Sequence, residues 1–255
     1  MKLAAAILAL VLVLPPGTSA GEVRVPILVY HRFGAVAADG MTVTTPVFES
    51  HLRHLRDGGY TVIPLRRLVD HLLGNGPAPP AHSVVVTADD GHRSVYTDML
   101  PLVRRYQVPV TLFVYPSAIS RADYALTWEQ LKALQVTGLF DVQSHTYWHP
   151  HFGKEKRRLT PPEYARFLAF QLGRSRQALE ERLGTGVDML AWPFGLYDDE
   201  LIEQATAAGY VAGFTIERRP ASGGDRVMAL PRYLMTDHDR GAAFERLLSE
   251  PAVRQ

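Results

Sequence analysis

Val84-Val85-Val86-Thr87-Ala88-Asp89-Asp90-Gly91 is the stretch that decides how the rest of the chain is read. An apolar, β-branched run of this kind has the composition of a strand buried on both faces, as in a parallel sheet. It ends abruptly in two adjacent carboxylates and a glycine. Neighbouring aspartates repel each other and lose solvation unless a positive centre sits beside them. A divalent metal meets that need and lets the two differ: one ligates, and the other stays free to move a proton. Gly91 allows the chain to turn sharply away. Asp-Asp-Gly is also a common strand-to-loop turn in its own right, so the reading needs support from elsewhere in the chain.

Composition narrows the field. The 255 residues are 47% hydrophobic, enough to fill one large domain, and an α/β barrel of this length is ordinary. Lys and Arg number 27 against 26 Asp and Glu, which leaves no electrostatic footprint for nucleic acid or an anionic membrane. A neutral or small polar substrate fits better. There is no cysteine, which excludes disulfides, thiolate metal sites and a cysteine nucleophile.

Residues 1–20 are expected to be a signal peptide, and 21–255 the catalytic domain. Met1-Lys2 is a short positive start, Leu3 to Leu14 is unbroken and apolar, and Thr18-Ser19-Ala20 offers small residues before a cut at Gly21. An uncleaved anchor is the alternative, but the run is short for a span of about 20 residues. The protein is therefore expected to be exported, to the periplasm or the exterior, with no stable membrane insertion after cleavage. The sequence is silent on oligomeric state.

Strands and helices alternate along the mature chain. Strands are expected at Val23–Tyr30, Tyr60–Ile63, Val84–Asp89, Val108–Tyr115, Leu139–Gln143, Asp188–Ala191, Tyr210–Thr215 and Val227–Leu230. The helices begin at Thr45, as N-cap ahead of Pro46, at Leu65, after Gly91, at Thr127, at Pro161 (running to Leu183) and at Asp198. Pro101 should kink or restart the helix after Gly91, residues 35–45 read as loop, and a peripheral helix follows Arg240. This order predicts an α/β fold with right-handed crossovers, a single distorted (β/α)7-type barrel.

The chemistry-bearing residues fall where such a barrel would use them. His145-Thr146-Tyr147-Trp148-His149 spaces two imidazoles four apart, on one face if the segment is a helical turn. With Asp90 they make a two-histidine, one-carboxylate set with room for water. His31, Asp89-Asp90, His145, Trp192 to Gly195 and Arg232 each follow the end of an expected strand. In a parallel α/β barrel all those ends lie on one face, where active sites are built.

These motifs resemble the polysaccharide deacetylases, the NodB-homology domain of carbohydrate esterase family 4. Thr87-Ala88-Asp89-Asp90-Gly91 is similar to the family's T-F-D-D-G, His145 to His149 to its H-[ST]-x-x-H, and Trp192-Pro193-Phe194-Gly195 to its P-[YF]-G element. Val25-Pro26-Ile27-Leu28-Val29-Tyr30-His31-Arg32 resembles the opening of a subgroup that includes exported deacetylases of β-1,6-linked N-acetylglucosamine polymers. The likeness runs from about Pro26 to Arg232.

The resemblance implies hydrolysis of N-acetyl groups on an acetylated polysaccharide. Asp89 would be the general base. Asp90, His145 and His149 would hold a divalent metal, most often zinc, and the Phe194 N–H would face the oxyanion. Two departures stand out. Ala88 replaces the usual aromatic and should leave space beside the base. The arginine that precedes the third element is missing, and Arg232 is expected to pair with Asp89 in its place. The family's late histidine acid has no clear counterpart; His31 is the expected general acid and His238 the runner-up. Trp192, Phe194, Tyr147 and Trp148 are the aromatics that could stack on sugar, with Trp192 favoured. An O-acetyl xylan esterase or a non-catalytic glycan-binding homologue would use the same constellation.

Overall fold

The computed structural model describes residues 23–249, so the expected signal at residues 1–20 lies outside the described residues. Seven parallel strands form the sheet: β1 (Ile27–Tyr30), β2 (Ser83–Asp89), β3 (Val110–Val114), β4 (Phe140–Ser144), β5 (Met189–Ala191), β6 (Ala212–Phe214) and β7 (Tyr233–Leu234). Their order is β6-β5-β4-β3-β2-β1-β7, and every neighbouring pair is parallel. Thr61–Val62 adds a short strand beside the start of β2.

The sheet curls until one segment spans its two edges. Leu230 bridges to Phe214 of β6, and three residues on Tyr233 pairs with Leu28 of β1. This is the distorted (β/α)7 barrel expected from the sequence. One expected strand moves: Val227–Ala229 is a 3-10 turn, and the seventh strand lies beyond Arg232 rather than before it. Pro231 has no N–H to give a ladder, so the segment changes partner around it. Leu230 exchanges hydrogen bonds with the β6 edge, and Met235 N–H donates to Val29 O at 2.9 Å.

Strand alternation sorts the side chains into two cores. All seven residues of β2 are buried. Val85 packs inside the barrel with Ile27, Phe113, Met189 and Phe214; Leu65, Leu68 and Val69 of α2 (Leu65–Leu72) join that inner core. Val84, Val86 and Ala88 instead face the outer layer of helices. Ala88 thus lies on the opposite face of the strand from Asp89, and its small size leaves no room beside that residue. Full burial of each such aliphatic side chain stabilises by about 1.5–3 kcal/mol.

Local chemistry sets the helix boundaries. In α1 (Thr45–Asp57) the N-cap is Thr44, one residue earlier than expected, and its hydroxyl and N–H both donate to Asp237 Oδ1. A π-helical turn at Val95–Met99 runs into α3 (Leu100–Tyr106), which restarts with Pro101 in its first turn. Thr127 and Gln130 form a capping box on α4 (Trp128–Val136). A short helix that the periodicity missed, α5 (Phe152–Arg158), follows the second histidine. The expected helix from Pro161 to Leu183 is α6 (Pro161–Ala169) and α7 (Ser175–Leu183), joined through a π turn at Phe170–Arg174. Asp198 caps α8 (Asp199–Ala207).

Two expectations about the margins are corrected. Thr42–Thr44 pairs with Arg32–Gly34, so the 35–45 region is not all loop. The last helix, α9 (Ala242–Ser249), is not peripheral. Phe244 and Leu247 are buried, and the Phe244 ring stacks on His51 of α1 at 4.1 Å. No helix among the described residues is long and apolar enough to cross a membrane.

Candidate active site

The C-terminal ends of the strands converge on a pocket of about 340 Å³ lined by His31, Asp89, Asp90, His145, His149 and Phe194, among others. β2 delivers both aspartates. Asp89 is its last residue and points inward, in register with Phe113. Asp90 and Gly91 both take left-handed φ of 71°. Aspartate tolerates that conformation. Gly91 is needed twice over, because a Cβ there would also lie 3.0 Å from Val114 and 3.2 Å from Ile119.

His145 follows β4 and is buried. The two histidines converge without a helical turn. Thr146 and His149 are both left-handed, and His149 N–H donates to the Thr146 hydroxyl. The loop is pinned from outside: Ser117 N–H reaches Tyr147 O, and Trp148 N–H reaches Gln171 Oε1. Gln171 lies within the π turn between α6 and α7, so that irregularity serves the site.

Ligand atoms of Asp90, His145 and His149 all lie within 4.8 Å of one another. His145 Nε2 is 3.6 Å from Asp90 Oδ1, and His149 Nε2 is 3.9 Å from the same oxygen. Those gaps are too long for hydrogen bonds. They are at or somewhat above the roughly 3.3–3.6 Å that separates tetrahedral ligands sharing one ion at bond lengths of about 2.0–2.2 Å. His145 Nδ1 sits 2.8 Å from Ala191 O. Donation there fixes the tautomer that leaves Nε2 free to ligate. Burial, then the neighbouring His145, lowers the pKa of His149, which favours the neutral imidazole that binds metal. Three side chains holding one ion would leave a position open, as catalytic rather than structural centres do.

Asp89 is not part of this set, although its Oδ2 lies 3.9 Å from His145 Nε2. Arg232 Nη1 donates to its Oδ1 at 2.8 Å and Nη2 to its Oδ2 at 2.6 Å. The guanidinium is fully buried and its donors are engaged: Nε meets Thr215 O, and Nη1 also reaches the Thr87 hydroxyl. Its plane sits against the rings of Phe113 and Phe214. Burial opposes the Asp89 carboxylate, but Arg232 and then His145 outweigh it and bring the pKa down to about 2. Asp89 is therefore an anion throughout the neutral range.

The remaining candidates divide. His31 lines the pocket, and its Nδ1 is buried without a hydrogen-bond partner. Burial lowers its pKa, against the pull of Asp89 and then Asp90. His238 is exposed on a turn and does not line the pocket. Phe194 adopts φ 59° in the turn Pro193–Gly195. Gly195 N–H and Leu196 N–H bond to Trp192 O and Pro193 O. Trp192 corrects the expectation placed on it. Its side chain is 0% exposed and its Nε1 donates to Met228 O, so it has no free face for a sugar. Phe194, which lines the pocket, and Trp148 are exposed instead. Tyr115 and Arg32 also line the pocket and were not singled out in the sequence. Tyr115 ends an expected strand, so the strand-end rule could have found it.

At the mouth of this curled parallel barrel stand three side chains that could hold a metal ion, with a buried carboxylate beside them. The chain belongs to the polysaccharide deacetylase family: the model described as "Polysaccharide deacetylase" matches residues 76–213. A relative, the poly-β-1,6-N-acetyl-D-glucosamine N-deacetylase of Staphylococcus aureus (strain MRSA252), is 22% identical over 81% of this chain and 71% of its own length. Among solved structures, IcaB from Ammonifex degensii superposes with a TM-score of 0.77 at 26% identity, covering 89% of this chain and 97% of that one. The Streptococcus pyogenes deacetylase PplD gives a TM-score of 0.80 at 22% identity, over 90% and 100% of the two chains, which speaks to the fold alone.

Proposed function

We propose that this chain is an exported, divalent-metal-dependent hydrolase that removes N-acetyl groups from amino-sugar residues of a polysaccharide, with β-1,6-linked N-acetylglucosamine polymer the favoured substrate and zinc the favoured metal. The observation that carries the chemistry is the convergence of Asp90, His145 and His149 beside a carboxylate that takes no part in their cluster. The choice of glycan rests on what the S. aureus relative is named for.

A metal bound by these three residues supplies Lewis-acid polarisation of the acetyl carbonyl and lowers the pKa of water in the site. The chain's own residues do the rest. Asp89, anionic and fixed by Arg232, takes the proton from the attacking water. The Phe194 N–H donates to the oxygen on which charge develops. His31 gives a proton to the departing nitrogen, which cannot leave as an amide anion. His145 is held by Ala191 O, so the ligand cluster keeps its geometry as charge builds.

The test is metal content together with acetate release from β-1,6- and β-1,4-linked N-acetylglucosamine oligomers, peptidoglycan and acetylated xylan. Release from the β-1,6 series, abolished by a chelator and restored by zinc, is the expected result. Release from xylan alone would make the enzyme an O-acetyl esterase, and no release from any of them by metal-loaded protein would overturn the reading.

A further inference from the structure

Behind the loop that carries His145 and His149 lies a buried polar network, on the helix side of the sheet. Ser144, Thr146, Gln171, Ser175 and Tyr210 are each at most 2% exposed. Ser144 ends β4 on the same face as Val142, towards the outer helices. Gln171 belongs to the π turn between α6 and α7, Ser175 opens α7, and Tyr210 stands two residues ahead of β6.

The hydroxyls form one chain. Tyr210 Oη donates to Ser144 Oγ at 2.8 Å and lies 3.0 Å from Leu172 O. The Ser144 and Ser175 hydroxyls are 2.9 Å apart, and Ser175 Oγ donates to Thr146 O at 2.9 Å. Because Ser175 uses its one proton on Thr146 O, Ser144 must be the donor to Ser175. Thr146 N–H also donates to Ser144 Oγ, at 3.2 Å. Ser144 therefore gives one hydrogen bond and accepts two, its full capacity. At the other end of the loop, Trp148 N–H donates to Gln171 Oε1 at 3.2 Å. The network thus grips the residue after His145 and the residue before His149.

We propose that Gln171, Ser175 and Tyr210 are positioning residues for the ligand cluster: they hold the loop in the shape that brings the two imidazoles together, and so set how tightly a divalent ion binds. Thr146 and His149 have φ of 65° and 62°, the left-handed region that side chains rarely adopt. Such residues persist only where their surroundings over-determine them. Holding them so before an ion arrives removes that ordering cost from binding. Gln171 is the telling member. Its Nε2 is buried with no hydrogen-bond partner, an arrangement that costs stability. A methionine would occupy similar space without that cost, but it would not accept from Trp148 N–H. Trp148 is itself half-exposed, so this bond fixes where the loop sits rather than filling a core. The inference rests on the reading above that Asp90, His145 and His149 hold the metal, and it names the residues that govern its affinity.

The experiment measures zinc dissociation constants by competition with a chromophoric chelator, and urea midpoints on metal-free protein, for wild type, Gln171→Met, Ser175→Ala and Tyr210→Phe. Leu55→Ala, in the outer core beneath α1, is the control for stability lost elsewhere. The three network variants should bind zinc about 10–100-fold more weakly, and the absorption bands of their cobalt(II) forms should shift. Metal-free Gln171→Met should unfold at a urea midpoint no lower than wild type, which a purely structural glutamine would not allow. Leu55→Ala should unfold earlier and still bind zinc as wild type does. Wild-type zinc affinity in folded Gln171→Met overturns the inference, and so does a loss of affinity in Leu55→Ala equal to that of the network variants. Should Ser175→Ala or Tyr210→Phe fail to fold, Gln171→Met alone decides. Wild-type protein that binds zinc but releases no acetate would sink the deacetylase reading and leave this inference standing; wild-type protein that binds no divalent ion would sink both.

Discussion

Arg232 holds Asp89 by both oxygens from 143 residues further along the chain, and neither side chain reaches solvent. The segment that carries Arg232 is the one that spans the two sheet edges, so closing the barrel and aiming the carboxylate are one event. Leu230 and Tyr233, on either side of Arg232, pair with β6 and β1.

Arg232→Ala should therefore damage both stability and turnover. Removing one partner of a buried pair leaves a charge without compensation, at a cost of about 3–5 kcal/mol. Arg232→Lys keeps the charge but not the planar fork and should fall between the variant and the wild type. Urea unfolding and acetate release measured on the same preparations check this. Full turnover in Arg232→Ala with an unchanged pH profile would show that Arg232 does not orient Asp89.

Much of this was legible in the sequence because strand ends in a parallel barrel share one face. The convergence of Asp90 and His145 was readable that way; Arg232 does meet Asp89 as expected, but from the residue before β7 rather than from the end of a strand. What misled was local geometry. The four-residue spacing of the histidines suggested a helical turn, whereas two left-handed residues bring the rings together. Trp192 looked like a sugar platform, but it lies on the outer side of the sheet, where its indole N–H is taken by Met228 O. Strand β7 has only two residues, too few for a periodic signal, and Pro231 hid the change of partner.

Replacing Asp90, His145 or His149 singly by alanine should reduce bound zinc well below one per chain and abolish acetate release with it. Each removal leaves two protein ligands, fewer than any ordinary catalytic zinc centre. Metal analysis after exhaustive dialysis gives the stoichiometry. Asp89→Asn should behave differently, retaining metal while losing turnover, because Asp89 belongs to Arg232 rather than to the ligand cluster. Loss of metal from Asp89→Asn equal to that from Asp90→Ala would contradict that division of labour.

His31 and His238 can be separated in one comparison. Loss of a general acid lowers turnover by about 10²–10⁴-fold. His31→Ala should show that loss, because His31 lines the pocket beside both aspartates. His238→Ala should stay close to wild type, since the residue is exposed and outside the pocket. Near-normal turnover in His31→Ala would remove it from the mechanism.

His51 should make the fold acid-sensitive independently of the active site. Its ring is buried between Tyr30 and Phe244, with Tyr30 Oη 2.9 Å from Nδ1 and the Asp239 carbonyl against Nε2. Burial pushes its pKa down to about 4, against the pull of the Asp239 backbone and side chain and of Asp237, and with His54 adding a smaller push downward. The ordinary value is near 6.5. Above pH 6.5 the residue is neutral in folded and unfolded chains alike, and the native state loses nothing. As pH falls from 6.5 towards 4 the unfolded chain binds the proton first, so stability declines by up to about 3 kcal/mol. Below pH 4 both states are protonated and this contribution levels off. His51→Gln, which cannot titrate, should flatten that part of the curve whatever its stability at pH 7. Urea unfolding at pH 7, 5.5 and 4.5 reads the slope directly. The same slope in variant and wild type would mean that acid attacks the fold elsewhere.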